Sequence, residues 1–247
     1  MRVLHIISDT NIGGGGRALL NYLQFAGRTQ FDLAVALPVG SALKSRVENL
    51  KVPLFEIPAM ADQSLDWKAV PLLRRCIREF SPDIVHTHGS VSGRIAARLE
   101  GKKVVYTKHC AFPPGKLVSS LPGRLANGLL DGLLADGVIA VGPSAQEILM
   151  ASGIPKKRIY QMLNGTPPLP APPEDCRSQW GLKPEDFVVG ILARVEPYKG
   201  HDLLLEAARL LHQRNRPVRI LIAGEGSQVD RLRLLARLAG GDANIKE

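Results

Sequence analysis

The sequence predicts an α/β fold, with a parallel-sheet domain followed by the opening of a second. Three observations carry this expectation. Short β-branched runs alternate with amphipathic helical patterns. A run of four glycines, Gly13 to Gly16, joins the first strand pattern to the first helix. The alternation breaks at a proline-rich segment and then restarts. Alternation of this kind builds right-handed βαβ units, which lay their strands into one parallel sheet.

In chain order, RVLHII at 2–7 reads as the first strand, and the glycines lead into a helix, GRALLNYLQFAG. Strands follow at 31–37, 52–57, 83–88, 103–109 and 137–142. Between them ALKSRVENL, DWKAVPLLRRCIREF and SGRIAARLE read as helices. NGTPPLPAPPED, from Asn164 onward, is dense in proline and poor in apolar side chains, as a domain boundary should be. Strands at 186–193 and 218–224 then alternate with helices HDLLLEAARLLHQR and QVDRLRLLARLAG. The expected organisation is a first domain over 1–165, a linker with its leading helix over 166–185, and a second unit over 186–247. Two strand–helix pairs leave a sheet edge and a face unprotected, so the second unit reads as the front of a larger Rossmann-type domain.

Composition narrows the function. With 45% hydrophobic and 22% charged residues the chain is expected to be a soluble globular protein. The 32 Lys and Arg exceed the 23 Asp and Glu to give +9, which favours an anionic partner. The cations are dispersed and no aromatic-rich ribonucleoprotein motif accompanies them, which argues against nucleic acid. Cys76, Cys110 and Cys176 show no paired spacing, against both a zinc site and a disulfide framework. The opening MRVLHIISDT is too short for a signal peptide, and Asp131 and Asp136 interrupt the longest apolar stretch. A cytoplasmic location is expected.

Three groups of residues invite chemistry. Gly15 and Gly16 stand where a strand–turn–helix brings main-chain N–H groups to an anion, although a tight turn with no ligand is the competing reading. A dinucleotide dehydrogenase is disfavoured, because the second strand pattern ends without the acidic residue that would hold a ribose. Arg194 and Lys199 flank the start of a helix near His201 and suit a di-anion, or are solvated surface charges. His86, His88 and His109 fall at ends of predicted strands, the edge where parallel sheets bind ligands. No carboxylate or cysteine stands at ligand spacing from them, so no metal is expected.

The segments HIISDTNIGGGGRALLNYL, SPDIVHTHG, VVYTKH, VIAVGPSAQEILMASGIPKKRIYQMLNGT and GILARVEPYKGHDLLLEAARLL…ILIAGEGSQVDRL together resemble family 4 glycosyltransferases of the GT-B fold. The resemblance covers nearly the whole chain, and its more specific parts are Arg-x4-Lys-Gly and the Asn164-Gly165 pair. It implies two Rossmann-like domains, a nucleotide-sugar donor and sugar transfer with retention. It assigns Arg194 and Lys199 to the donor diphosphate, and Gly15 and Gly16 to the diphosphate or the sugar. His109 resembles the family histidine beside the transferred sugar, with His86, His88 and Asn164 on the sugar or acceptor side. The loop Gly224, Glu225, Gly226 would border the nucleotide. Metal is not required in the family. The implied acceptors are saccharides or lipid-linked envelope sugars, and the +9 charge adds an expected contact with an anionic membrane at its inner face.

The chain departs from the family pattern late in the second domain. A pair of glutamates separated by seven residues, expected there, has no counterpart here, and neither have the strands that would complete the second sheet or the helix that returns to the first domain. The expectation is therefore a chain with little transferase activity alone. A non-catalytic product or a split subunit completed by a partner chain is one alternative, and a nucleotide-sugar epimerase of the same fold is another.

Overall fold

The computed structural model describes residues 1–26, 30–109, 112–169, 176–238 and 244–246. Cys110 lies outside them. The chain forms two compact units, Met1–Pro168 and Leu169–Glu247.

The first unit runs β1 (Arg2–Ile7), α1 (Gly14–Phe25), β2 (Asp32–Pro38), α2 (Lys44–Asn49), β3 (Leu54–Ile57), α3 (Ala69–Phe80), β4 (Ile84–His88), α4 (Val91–Leu99) and β5 (Lys103–Lys108). It continues through α5 (Lys116–Ser119), α6 (Leu121–Leu134), β6 (Gly137–Ala140), α7 (Pro143–Ala151) and β7 (Ile159–Gln161). All seven strands are parallel in the order β3-β2-β1-β4-β5-β6-β7. The order reverses between β1 and β4, which makes the carboxyl edge there the switch point of a doubly wound sheet.

Side-chain alternation divides the core. Leu4, Ile6, Ala34, Ala36 and Val85 pack on the face of α3, whose buried residues Ala69, Val70, Leu73, Cys76, Ile77 and Phe80 follow the helical period. Val3, Ile7, Leu33, Val35 and Leu37 pack on the other face with Leu19 and Leu23 of α1. Helix α3 closes at Ser81, held at a φ of 50°. Helix α4 opens on Ser90, whose hydroxyl accepts from the Gly93 N–H at 3.0 Å.

Four elements, α5, α6, α7 and β7, do not appear among the helices and strands read from sequence periodicity. Helix α6 carries Pro122 and three glycines, and its apolar residues do not mark a buried face. Helix α7 begins at Pro143, which suits a first helical turn but interrupts a periodic reading.

The second unit contains β8 (Val188–Leu192), α8 (His201–Gln213), β9 (Arg219–Ala223), α9 (Val229–Leu238) and β10 (Asn244–Lys246). Its parallel sheet has the order β10-β9-β8, so it includes one strand more than expected. Val195, Ile222 and Leu232 form its buried centre. Within 176–185 the helical element is one 3-10 turn, Ser178–Trp180.

Leu4 is fully buried in the central strand. Leu4→Ala should cost about 2–5 kcal/mol of stability, read as a lower urea midpoint with an unchanged slope.

Candidate functional site

The register of β1 against β4 sets His5 opposite His86. Residues 3, 5 and 7 of β1 face α1, as do Ile84, His86 and His88 of β4, so three imidazoles share one side of the sheet. His109, just past the end of β5, joins them.

The rings are in direct contact. His5 Nδ1 lies 3.1 Å from His88 Nε2, and His88 Nδ1 lies 2.9 Å from His109 Nε2. His86 Nε2 meets Thr107 Oγ1 at 2.7 Å, and its ring stacks on His88 at 4.4 Å between centroids. Burial, then the charge of His86, holds His5 well below the ordinary imidazole range. His88 is held there too, by burial and by His86, His5 and His109. His86 is pushed down to about 4, by burial first and then by His109, and burial lowers His109 as well. The rings are therefore neutral near pH 7.

Neutrality has a consequence for the protons. Each neutral ring carries one N–H, and each contact needs one proton between its two nitrogens. Two arrangements satisfy both contacts. In the first, His5 Nδ1–H donates to His88 Nε2 and His88 Nδ1–H donates to His109 Nε2, which leaves His109 with a proton on Nδ1. In the second, His109 Nε2–H donates to His88 Nδ1 and His88 Nε2–H donates to His5 Nδ1, which leaves His109 Nδ1 bare. Whether Nδ1 of His109 donates or accepts is thus tied to His5 through His88. Among the described residues neither His109 Nδ1 nor His5 Nε2, both buried, has a hydrogen-bond partner.

All four histidines line one cavity of about 820 Å³, together with Tyr22 and Asn164. The segment carrying Asn164 is tethered by Asn21, whose Nδ2 donates to the Gly165 carbonyl at 3.2 Å. Four residues read from the sequence, His86, His88, His109 and Asn164, thus meet in one place. His5 and Tyr22 went unread, although their rings pack 5.2 Å apart at the same cavity. The only signal for His5 is a polar residue inside an otherwise aliphatic strand.

His5, His86 and His88 bring ligand atoms within 4.8 Å of one another, the group among the described residues most suited to a metal. A tetrahedral zinc site separates its nitrogens by about 3.3 Å. Here the rings stack, and His5 and His88 meet nitrogen to nitrogen at 3.1 Å.

The glycine run enters the helix itself, because α1 begins at Gly14 with Gly13 as its cap. A Cβ on Gly13 or Gly14 would meet nothing within 4 Å, whereas one on Gly15 would lie 3.2 Å from His109 Cδ2 and one on Gly16 3.0 Å from Leu43 Cδ2. A side chain at Gly15 or Gly16 would therefore press on the His109 ring or on Leu43. This close approach sets the uncapped first turn of α1 against the His109 ring.

In the second unit, Arg194 follows β8 and Lys199 ends a 3-10 turn that leads through Gly200 into α8. Arg194 Nη2 donates to the Tyr198 hydroxyl at 2.7 Å, and Lys199 Nζ stands 5.5 Å over the Tyr198 ring. Both cations are exposed, and among the described residues neither lies within ion-pair distance of a carboxylate. Their loop is stitched to the Gly224–Gly226 loop. Val195 N–H donates to the Glu225 carbonyl at 2.7 Å, and the Glu196 carboxylate accepts from the Ser227 N–H and hydroxyl. Gly226 has a φ of 158°, and a Cβ there would lie 2.3 Å from the Val195 carbonyl. His201 is buried at the first position of α8, with neither ring nitrogen hydrogen-bonded among the described residues.

A family model described as Glycosyltransferase Family 4 matches residues 12–168, and one described as Glycosyl transferases group 1 matches 174–246. A D-inositol 3-phosphate glycosyltransferase of Gordonia bronchialis is 32% identical over 177 residues, covering 64% of this chain and 38% of that protein. EpsD of Bacillus subtilis, which carries a glycosyltransferase name, is 28% identical over 194 residues, covering 70% and 49%. The chain thus spans about half the length of the curated relatives it matches. Among solved structures, Anabaena HepE in complex with UDP superimposes with a TM-score of 0.76 at 20% identity, over 100% of this chain and 68% of that one. A UDP-GlcNAc 2-epimerase from Neisseria meningitidis bound to UDP-GlcNAc gives 0.62 at 14% identity, over 100% and 72%. These likenesses show the fold, and they agree with the α/β class and GT-B type expected from the sequence.

Because the folded histidines hold their pKa values below the unfolded value of about 6.5, the unfolded chain binds more protons as the medium is acidified. The stability contributed by the neutral cluster is full above about pH 6.5 and is lost on the way to pH 4, on the order of 3 kcal/mol for His86 alone. Urea midpoints should fall between pH 7.5 and 4.5, and fall less in the double variant His5→Leu/His86→Val. Equal acid sensitivity of the two proteins would contradict buried, neutral rings.

Proposed function

The chain belongs to Glycosyltransferase Family 4, and from that premise we propose that the protein transfers a sugar, with retention, from a nucleotide-sugar donor to a saccharide or lipid-linked envelope acceptor. In the reaction a bond forms between an acceptor oxygen and the anomeric carbon. The bond from that carbon to the diphosphate breaks, and the hydroxyl proton leaves with the nucleoside diphosphate.

One observation carries the reading. Arg194 and Lys199 stand exposed before the amino end of α8, in a loop held by hydrogen bonds to its neighbour at Gly224–Gly226. Two cations and a helix amino terminus suit a diphosphate and oppose the charge that grows on it as the sugar departs. This arrangement supplies the stabilisation that magnesium gives elsewhere, so the proposal includes no metal requirement. Glu225 and its flanking glycines would border the nucleotide.

In the first unit, His109 and the cavity with His86, His88 and Asn164 are proposed to receive the sugar and the acceptor. Gly15 and Gly16 would offer main-chain N–H groups beside them. A mostly apolar cavity with few polar groups orients a sugar through those groups while keeping water out. The proposal also includes peripheral contact with an anionic membrane, where a lipid-linked acceptor would reside.

Isothermal titration with UDP-glucose and UDP-N-acetylglucosamine tests the donor reading. Arg194→Ala and Lys199→Ala should each weaken binding roughly tenfold or more, with the fold retained. His109→Ala should spare donor binding and lower turnover by about 10²-fold. Unchanged affinity in both cation variants would sink the diphosphate assignment. Turnover of the donor without any acceptor would instead mark epimerase chemistry.

A further inference from the structure

The turn that leads from β1 into the glycine run is held by a carboxylate from another loop. Asp62, between β3 and α3, accepts from the Thr10 N–H at 2.9 Å and from the Thr10 hydroxyl at 2.5 Å. Its own N–H donates to the Ser8 carbonyl at 2.8 Å. Three bonds thus join this one residue to the end of β1 and to the turn just beyond it. The loop between β2 and α2 adds a second grip. Ser41 Oγ donates to the Asp9 carbonyl at 3.0 Å, and the Ala42 N–H donates to the Thr10 carbonyl at 2.8 Å.

Holding Asp62 there costs backbone strain. Met60 and Asp62 both have left-handed φ values, 62° and 52°, which residues other than glycine seldom adopt. Met60 is held by a side chain only 1% exposed and by its N–H, which donates to Asp66 Oδ2 at 3.0 Å. The Asp66 N–H in turn donates to Ser92 Oγ of α4 at 2.7 Å, so the loop is anchored at its far end as well. Asp62 is exposed, and core packing does not explain its conformation. The bonds to Ser8 and Thr10 do. Those from Thr10 also hold its carboxyl below the ordinary carboxylate range, so the group is ionised near neutral pH. Strain of this kind persists where surrounding contacts over-determine the backbone, and it gathers at functional sites.

What the tether positions is the entry to α1. Three residues separate Thr10 from Gly14, where the helix begins. The Gly13 N–H donates to the Asn11 carbonyl at 2.9 Å, and the Gly13 carbonyl accepts from the Arg17 N–H at 2.9 Å, so the turn runs directly into the first helical bond. Two residues on, Gly15 lies against the His109 ring and Gly16 against Leu43. Displacing the helix start by about 1 Å would spoil a hydrogen bond made there by a main-chain N–H.

We propose that Asp62 is a positioning residue, which through Thr10 fixes the start of α1 so that the Gly15 and Gly16 N–H groups stand ready for a ligand oxygen. This rests on the role proposed above for those glycines and adds a residue that touches no ligand itself.

Two substitutions separate the tether from the strain, because glycine and asparagine both accept a left-handed φ. Asp62→Gly removes the carboxylate, whereas Asp62→Asn keeps an acceptor for the Thr10 N–H. The first measurement is amide hydrogen exchange in the ligand-free protein. At Gly13, Arg17 and Ala42, whose bonds depend on the turn without touching Asp62, exchange should quicken roughly fivefold or more in Asp62→Gly and stay within about twofold of wild type in Asp62→Asn. The second is titration with UDP-glucose, where Asp62→Gly should weaken binding roughly fivefold and Asp62→Asn should restore it. Should Asp62→Gly lose its circular dichroism, Thr10→Val, which deletes only the hydroxyl bond, takes its place with the same expected directions. Unchanged exchange in Asp62→Gly would overturn the tether whatever the ligand. Faster exchange with unchanged UDP-glucose affinity would overturn the positioning role and leave the bonds serving the fold alone. No binding of UDP-glucose by the wild type would count against the donor reading, and exchange would then judge the tether by itself.

Discussion

The parallel pairing of β1 with β4 is the constraint on which the first unit's site depends. It places the reversal of strand order at the centre of a seven-stranded sheet, so the connections leaving β1 and β4 pass to opposite faces. A crevice opens at the carboxyl edge as a result, and the same register aligns His5 with His86. His88 then extends the row toward the edge, and β5 delivers His109 beside it. A one-residue slip of this register would turn His86 and His88 to the α3 face and dismantle the cluster.

The two units handle charge in opposite ways. In the first, desolvation keeps four imidazoles uncharged, and their hydrogen bonds then decide which nitrogen holds each proton. Such a site offers donors and acceptors of defined position but little net field, which suits the hydroxyls of a sugar. The second unit leaves Arg194 and Lys199 in solvent and fixes only the loop that carries them. Exposed cations are screened until a ligand excludes water from them, and a multiply charged diphosphate gains most from that exclusion.

Much of this was legible in the sequence because it depends on local order. Strand ends, the glycine run at the start of α1 and the position of Arg194 and Lys199 before a helix follow from strand–loop–helix succession, and the structure has each of those elements. His5 was not legible. Its role requires knowing that β1 lies beside β4, a pairing between residues 81 apart that periodicity does not encode. The character of α6 was hidden for a different reason. Hydrophobic patterning assumes that apolar residues face the core, and in α6 the inward positions belong to Asp131, Asn127 and glycine. Its apolar residues read as a featureless hydrophobic run broken by an acid, when that acid is the anchor. Strand β10 follows only three residues of β pattern, too few to signal a strand.

Strand β5 connects the histidine cavity to helix α6. Thr107 hydrogen-bonds His86 on one face of the sheet. Tyr106, one residue earlier, points to the other, where the Arg94 guanidinium lies 4.4 Å over its ring. That same Arg94 pairs with Asp131 and helps to hold α6 with its leucines outward. Alternation along a single strand therefore supports both the cavity and the helix on opposite sides of one rigid sheet. The chain adds a second tie, since only seven Cα-to-Cα steps lead from His109 to Lys116 at the start of α5. Fully extended they reach about 25 Å.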